Sequence, residues 1–241
     1  MSETGHAKNV INFSKAISIV SGLGSAYNPN NPLIALTNLQ TKLTALQNVF
    51  ETVVPLDSAQ TLAINERGAI FEPLPKLVTR ISNAAAVSIN DPLFADNLRT
   101  IVRKLQGRRA PEKPVEETDP TNPEEPKQRN KTSQLGFDDR VANFFELITL
   151  LKTQGGYNPN EPELKITALE TMLAEMATKN TNVVEATVAV QNARIVRNQV
   201  FYNKTDGVVA LMDLVKKYVK SVFGATSPQY KQLSVLKFKK I

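Results

Sequence analysis

The hexapeptide Tyr27-Asn28-Pro29-Asn30-Asn31-Pro32 recurs 130 positions later as Tyr157-Asn158-Pro159-Asn160-Glu161-Pro162, and this recurrence constrains the fold more than any other feature of the chain. The match continues past the turn. Leu36, Thr37, Leu39, Thr41, Leu43 and Leu46 stand against Ile166, Thr167, Leu169, Thr171, Leu173 and Met176 at the same offset, apolar against apolar and Thr against Thr. Upstream, Val10, Phe13, Ile17 and Val20 are matched by Val141, Phe144, Ile148 and Leu151 at offset 131, in the 3-4-3 steps of an amphipathic helix. Self-similarity at one offset over this length reads as tandem duplication of a supersecondary unit. It divides the chain into a first helical repeat over 1–107, a linker over 108–133 and a second helical repeat over 134–241.

Within each repeat the turn separates two helices. Asp138 reads as the cap of the second repeat's first helix, and Gly22, Gly24, Gly155 and Gly156 as residues that tolerate the conformation in which helices end. Asn31 with Pro32, and Pro162, then open the next helix, since proline at a first helical position gives up no bond. In the first repeat Leu36, Leu39, Leu43, Leu46, Phe50 and Val53 form a continuous 3-4 seam. In the second the seam begins at Ile166 and is expected to break at Asn180. A third helical segment from about Asp57 to Val87 should break near 71–75, where Pro73 and Pro75 remove bonds and crowd the preceding turn. Its counterpart reads as one helix from about Ala189 to Phe223, weakest at Gly207. Asn90-Asp91-Pro92 and Thr226-Ser227-Pro228 cap short terminal helices. The expected class is all-α, the two repeats packing as an antiparallel four-helix-type bundle with short extra helices.

The linker contains Pro111, Pro114, Pro120, Pro123 and Pro126 among six basic and six acidic side chains, so it reads as a neutral spacer rather than a basic arm. Elsewhere a hydrophobic content of 41% is enough for a sizeable core. The absence of cysteine excludes disulfides, thiol nucleophiles, thiolate zinc and iron–sulfur clusters. One histidine, His6, excludes a multi-histidine metal site and leaves a Ser-His-Asp triad to be built around a residue in a polar amino-terminal stretch. Gly22-Leu23-Gly24 follows a helix rather than a strand and lacks the lysine of a phosphate-binding loop. No catalytic residue, cofactor or metal is therefore expected, and an enzyme working through Arg, Glu and Tyr in a bundle pocket is the minor alternative. No apolar run of about 18 residues and no secretory leader pattern is present, so the expectation is a cytoplasmic protein without a transmembrane segment.

Two groups of polar residues stand out. After Asp213 there is no acidic residue, while Lys216, Lys217, Lys220, Lys231, Lys237, Lys239 and Lys240 supply seven positive charges, interleaved with Tyr218, Phe223, Tyr230 and Phe238. Such a pattern meets an anionic partner, nucleic acid among them, through phosphate contacts and base stacking; equally it is a solvated helix end with inward aromatics. Arg194, Arg197, Asn198 and Tyr202 lie at helical spacing and read as a ligand cluster or an interhelical polar strip. The duplicated Tyr27, Asn28, Pro29 and Tyr157, Asn158, Pro159 read as structural turns, because Pro fixes the backbone and Asn bonds its neighbours.

The duplicated turn, the segment Arg197-Asn198-Gln199-Val200-Phe201-Tyr202 and the stretch from Lys217 to Gln232 resemble a group of uncharacterised all-helical proteins of Bacteroidetes bacteria. That resemblance implies an all-helical fold and no activity. The functional expectation is a non-enzymatic helical-bundle interaction or scaffold protein, with a protein partner or self-association. The alternative is nucleic-acid binding through the lysine-rich carboxyl end.

Overall fold

The computed structural model describes residues 5–108 and 135–238. The linker beyond Arg108, and Lys239 and Lys240, lie outside the described residues. The chain is all-α, with no strand among those residues. Its helices are α1 (His6–Gly22), α2 (Leu36–Phe71), α3 (Leu74–Ser88), α4 (Pro92–Gln106), α5 (Phe137–Gln154), α6 (Ile166–Tyr202), α7 (Val208–Phe223) and α8 (Pro228–Ser234). Single 3-10 turns at Pro32–Ile34 and Pro162–Leu164 precede α2 and α6. In order along the chain, α1 to α4 are matched element for element by α5 to α8.

The chain divides into two compact units, and neither coincides with a half of the sequence. Unit 1 comprises Met1–Gln60 and Ala186–Ile241, and unit 2 comprises Thr61–Glu185. α1 thus belongs with α7 and α8, and α5 with α3 and α4, while α2 and α6 each supply residues to both units. In unit 1, α2 and the end of α6 run antiparallel, as Asp57 meets Arg194 and Gln60 meets Thr187. In unit 2, Glu66 meets Lys179 and Arg67 meets Asn180 across the same two helices.

Each unit has its own core. Phe13, Ile17, Leu39, Leu46, Phe201, Leu211 and Val215 are central to that of unit 1. Phe71, Ile81, Leu98, Leu105, Phe144, Leu151 and Met176 are central to that of unit 2. Burying side chains of this size contributes roughly 1.5–3 kcal/mol apiece, the main term holding each unit together.

Several boundaries differ from the sequence expectation. The seam ending at Val53 and the segment beginning near Asp57 are not separate helices: both lie in α2, with Pro55 inside it on its exposed side. The break near 71–75 is where Pro73 and Pro75 place it, and these prolines serve as the start of α3. Asn180 does not end the α6 seam; Leu169, Met176, Val183 and Val190 continue it in steps of seven, all buried. The expected single helix to Phe223 is instead divided between Tyr202 and Val208. There the Asn203 side chain accepts from the amides of Thr205 and Asp206, at 2.8 and 3.4 Å. Gly207 closes the loop because any Cβ would collide with the Asn203 backbone. Asp138 is not the cap of α5: Gly136 occupies that place, and the Asp138 carboxylate accepts from the Asn180 side chain. The caps at Asp91, which accepts from Leu93 and Phe94, and at Ser227, which accepts from Tyr230, stand as read. Asn31, accepting from Leu33, and Pro162 open the 3-10 turns rather than α2 and α6 themselves.

Candidate functional site

α8 packs against α7 and α1, and these three helices carry six of the nine described lysines of unit 1. Lys216 is half-buried: its Nζ donates to the Leu236 carbonyl at 2.6 Å and lies 5.6 Å from the Phe238 ring centre. Burial lowers its pKa, and Asp213 nearby opposes the shift. Lys220 is exposed, with its Nζ 5.8 Å from the Tyr230 ring. Lys217, Lys231 and Lys237 are exposed as well. None of these five lysines forms an ion pair with another described residue. Lys239 and Lys240 lie outside the described residues.

The sequence reading did not include Lys8 and Lys15 in this group. α1 carries no acidic residue among the described ones and packs against α8, so both add to the positive charge of unit 1. The signal was present in α1 but depends on which half α8 packs against. Counting described residues, unit 1 holds 11 Lys and Arg against Glu51, Asp57, Asp206 and Asp213, a net of +7. Unit 2 holds 11 against 12, a net of −1.

The interleaved aromatics face inward. Tyr218 packs edge-on to Tyr27 at 5.3 Å, and its hydroxyl accepts from the Asn28 amide at 3.0 Å. Phe223, Tyr230 and Phe238 are half-buried against the unit 1 core. None is an outward platform for a base.

The second polar group separates. Arg194 reaches across to Asp57 at 3.0 Å. Arg197 donates to Asn198 Oδ1 from Nε and a terminal nitrogen, at 3.3 and 3.1 Å. Tyr202 lies instead beside His6, ring centres 5.8 Å apart, with Phe201 at 5.0 Å from the same imidazole. Burial and then Arg197 lower the His6 pKa, opposed by a hydrogen bond with Asn198.

The two turns are bound in the same way. The Tyr27 hydroxyl donates to the Ile34 carbonyl at 2.7 Å, and that of Tyr157 to Leu164 at 3.0 Å. Burial raises both phenols, with Tyr218 adding to the effect at Tyr27 and Glu161 at Tyr157, which is pushed up to about 12. Asn28, Pro29, Asn158 and Pro159 carry the chain from each tyrosine towards its 3-10 turn.

In unit 2, α4 and α5 border a groove of about 620 Å³ lined by Asn97, Thr100, Ile101, Phe145, Thr149 and Leu150 among others. Its one carboxylate, Glu146, meets Lys104 at 3.2 Å, and no Arg or Tyr lines it. No helix among the described residues is long and apolar enough to cross a membrane. No protein-family model, curated protein or solved structure matches the chain.

Proposed function

We propose that this is a non-enzymatic helical interaction protein that presents the lysine-bearing side of unit 1 to an acidic partner protein. The observation that carries this reading is the charge imbalance: a net of +7 among the described residues of unit 1, with Lys216, Lys217, Lys220, Lys231 and Lys237 paired to no described carboxylate. Uncompensated charge of one sign raises the encounter rate with an oppositely charged surface and opposes self-pairing of that side. The likeness of the two halves supports reading the scaffold as copies of one helical unit. Affinity capture from the native cell at low and high salt tests the proposal. The partner should be retained at low salt and lost when Lys217, Lys220, Lys231 and Lys237 are changed together to Gln. Capture unaffected by those changes would refute it.

A second reading is contact with the phosphate backbone of duplex nucleic acid. The same exposed lysines favour it, and the inward aromatics favour duplex over single strands, because unpaired bases need an open ring to stack on. A duplex gel shift that weakens steeply between about 50 and 200 mM salt would support this reading. A shift that ignores salt would remove it.

A further inference from the structure

His6 is the only histidine of the chain and the first residue of α1. Three features of this place disfavour a positive charge. The imidazole lies 5.0 Å from the ring of the fully buried Phe201 and 5.8 Å from that of Tyr202, and its Nε2 is shut off from water without a hydrogen-bond partner. Arg197 approaches from α6 and repels a second cation. The first turn of α1 carries no capping side chain and no acidic residue, so the positive end of the helix dipole adds to the repulsion.

Unit 2 builds the corresponding corner without a titratable ring. Phe137 opens α5 there, packs edge-on to Phe71 at 4.9 Å and lies under the Arg67 guanidinium at 3.9 Å. Asn180 accepts from Arg67 and in turn donates to Asp138, so that arginine is linked to a carboxylate. In unit 1 the residues at the matching positions are His6, Phe201 and Arg197, while Phe50 stands where Asn180 would be and Ala7 where Asp138 would be. A titratable ring therefore stands next to an arginine that has lost its link to a carboxylate.

We propose that His6 is an acid-released latch: neutral, it holds the first turn of α1 against Phe201 and Tyr202, and protonated, it lets that turn go. Among the described residues the compensation is partial: a hydrogen bond with Asn198 favours the charged ring, but burial and Arg197 outweigh it, and no carboxylate pairs with the imidazole. α6 presents Arg197 and Tyr202, and α2 presents the uncharged Phe50 against Phe201. The other charged residues of α1, and the one on α8, which packs against it, are also cations: Lys8, Lys15 and Lys231. Of the described carboxylates that follow α6, Asp206 pairs with Lys42 at 2.8 Å, and Asp213 acts on Lys216 without pairing to it. Because the folded chain takes up this proton at a lower pH than the unfolded chain, the latch contributes fully above pH 6.5. Its contribution is lost as the pH falls from there towards the folded midpoint.

A single histidine makes the test direct. The imidazole resonances of the full chain are followed by NMR from pH 8 to 4.5, together with exchange protection of the Asn9 amide, which bonds the Gly5 carbonyl at 3.3 Å. The expected result is a His6 midpoint below 6.5 and a loss of Asn9 protection that follows the charging of His6. His6→Phe, which restores the unit 2 arrangement, should keep Asn9 protected throughout. His6→Gln carries the same expectation should His6→Phe fail to fold. Glu3→Gln, which alters the nearest carboxylate in sequence, should leave the transition in place. A midpoint at or above 6.5, equal Asn9 protection in wild type and both His6 variants, or loss of the transition in Glu3→Gln would each overturn the proposal.

Discussion

Tyr27 and Tyr157 show how one hydroxyl can define a local structure. Each phenol reaches seven residues ahead to a carbonyl at the end of its 3-10 turn. Tyr27→Phe leaves the Ile34 carbonyl without its partner, and an unsatisfied buried acceptor costs about 1–3 kcal/mol. Urea unfolding of Tyr27→Phe should show a loss in that range, with an unchanged dependence on urea. Both phenols are raised in the folded state, so their contribution is complete below pH 10 and declines above it, for Tyr157 through about 12. The double variant Tyr27→Phe, Tyr157→Phe should therefore lose less stability between pH 9.5 and 11.5 than the wild type, as read from urea midpoints at each pH.

At the scale of elements, the loop between α6 and α7 depends on Gly207. Its φ of −68° is open to any residue, so the requirement is space rather than backbone freedom: a Cβ would meet the Asn203 backbone. Gly207→Ala should cost about 1–3 kcal/mol, the usual range for overpacking, and calorimetry should show a lowered melting temperature. This loop also shows where the sequence was legible and where it was not. Apolar spacing located α1, α5 and the α2 seam, and turn chemistry located the caps at Asp91 and Ser227, because these signals act within a few residues. Gly207 looked like a tolerated weakness in a helix, since the apolar steps from Val200 to Val208 hide a five-residue loop. Asn180 looked like a break, yet Arg67, 113 positions away, bonds it and α6 runs on; Pro55 sits exposed inside a continuous α2. The lysines at the carboxyl end could be named from the sequence. That Lys8, Lys15 and His6 belong with them could not, because no local pattern records which helix α8 packs against.

For the molecule as a whole, the decisive fact is that each compact unit draws on both halves of the chain. A polypeptide of residues 1–107 contains α1 without α7 and α8, and α3 and α4 without α5, so both cores lack their facing side. Expressed separately, residues 1–107 and 134–241 should each unfold without cooperativity in urea. Mixed, they should regain a cooperative transition and elute together at the mass of one chain. Two independently cooperative halves would contradict this division. The same arrangement bears on how the chain is made. Unit 2 lies within one continuous stretch, Thr61–Glu185, and all of its residues have been synthesised while 56 residues of the chain are still to come. Unit 1 cannot close until its end arrives: the side chain of Asn12 bonds the carbonyl of Lys237, 225 positions later. At translation rates of about 5–20 residues per second, α1 waits roughly 10–45 s with its apolar face uncovered. During that interval Phe13 and Ile17 are open to any holding factor that recognises a short apolar helix, and chains stalled before α7 should be found bound to one.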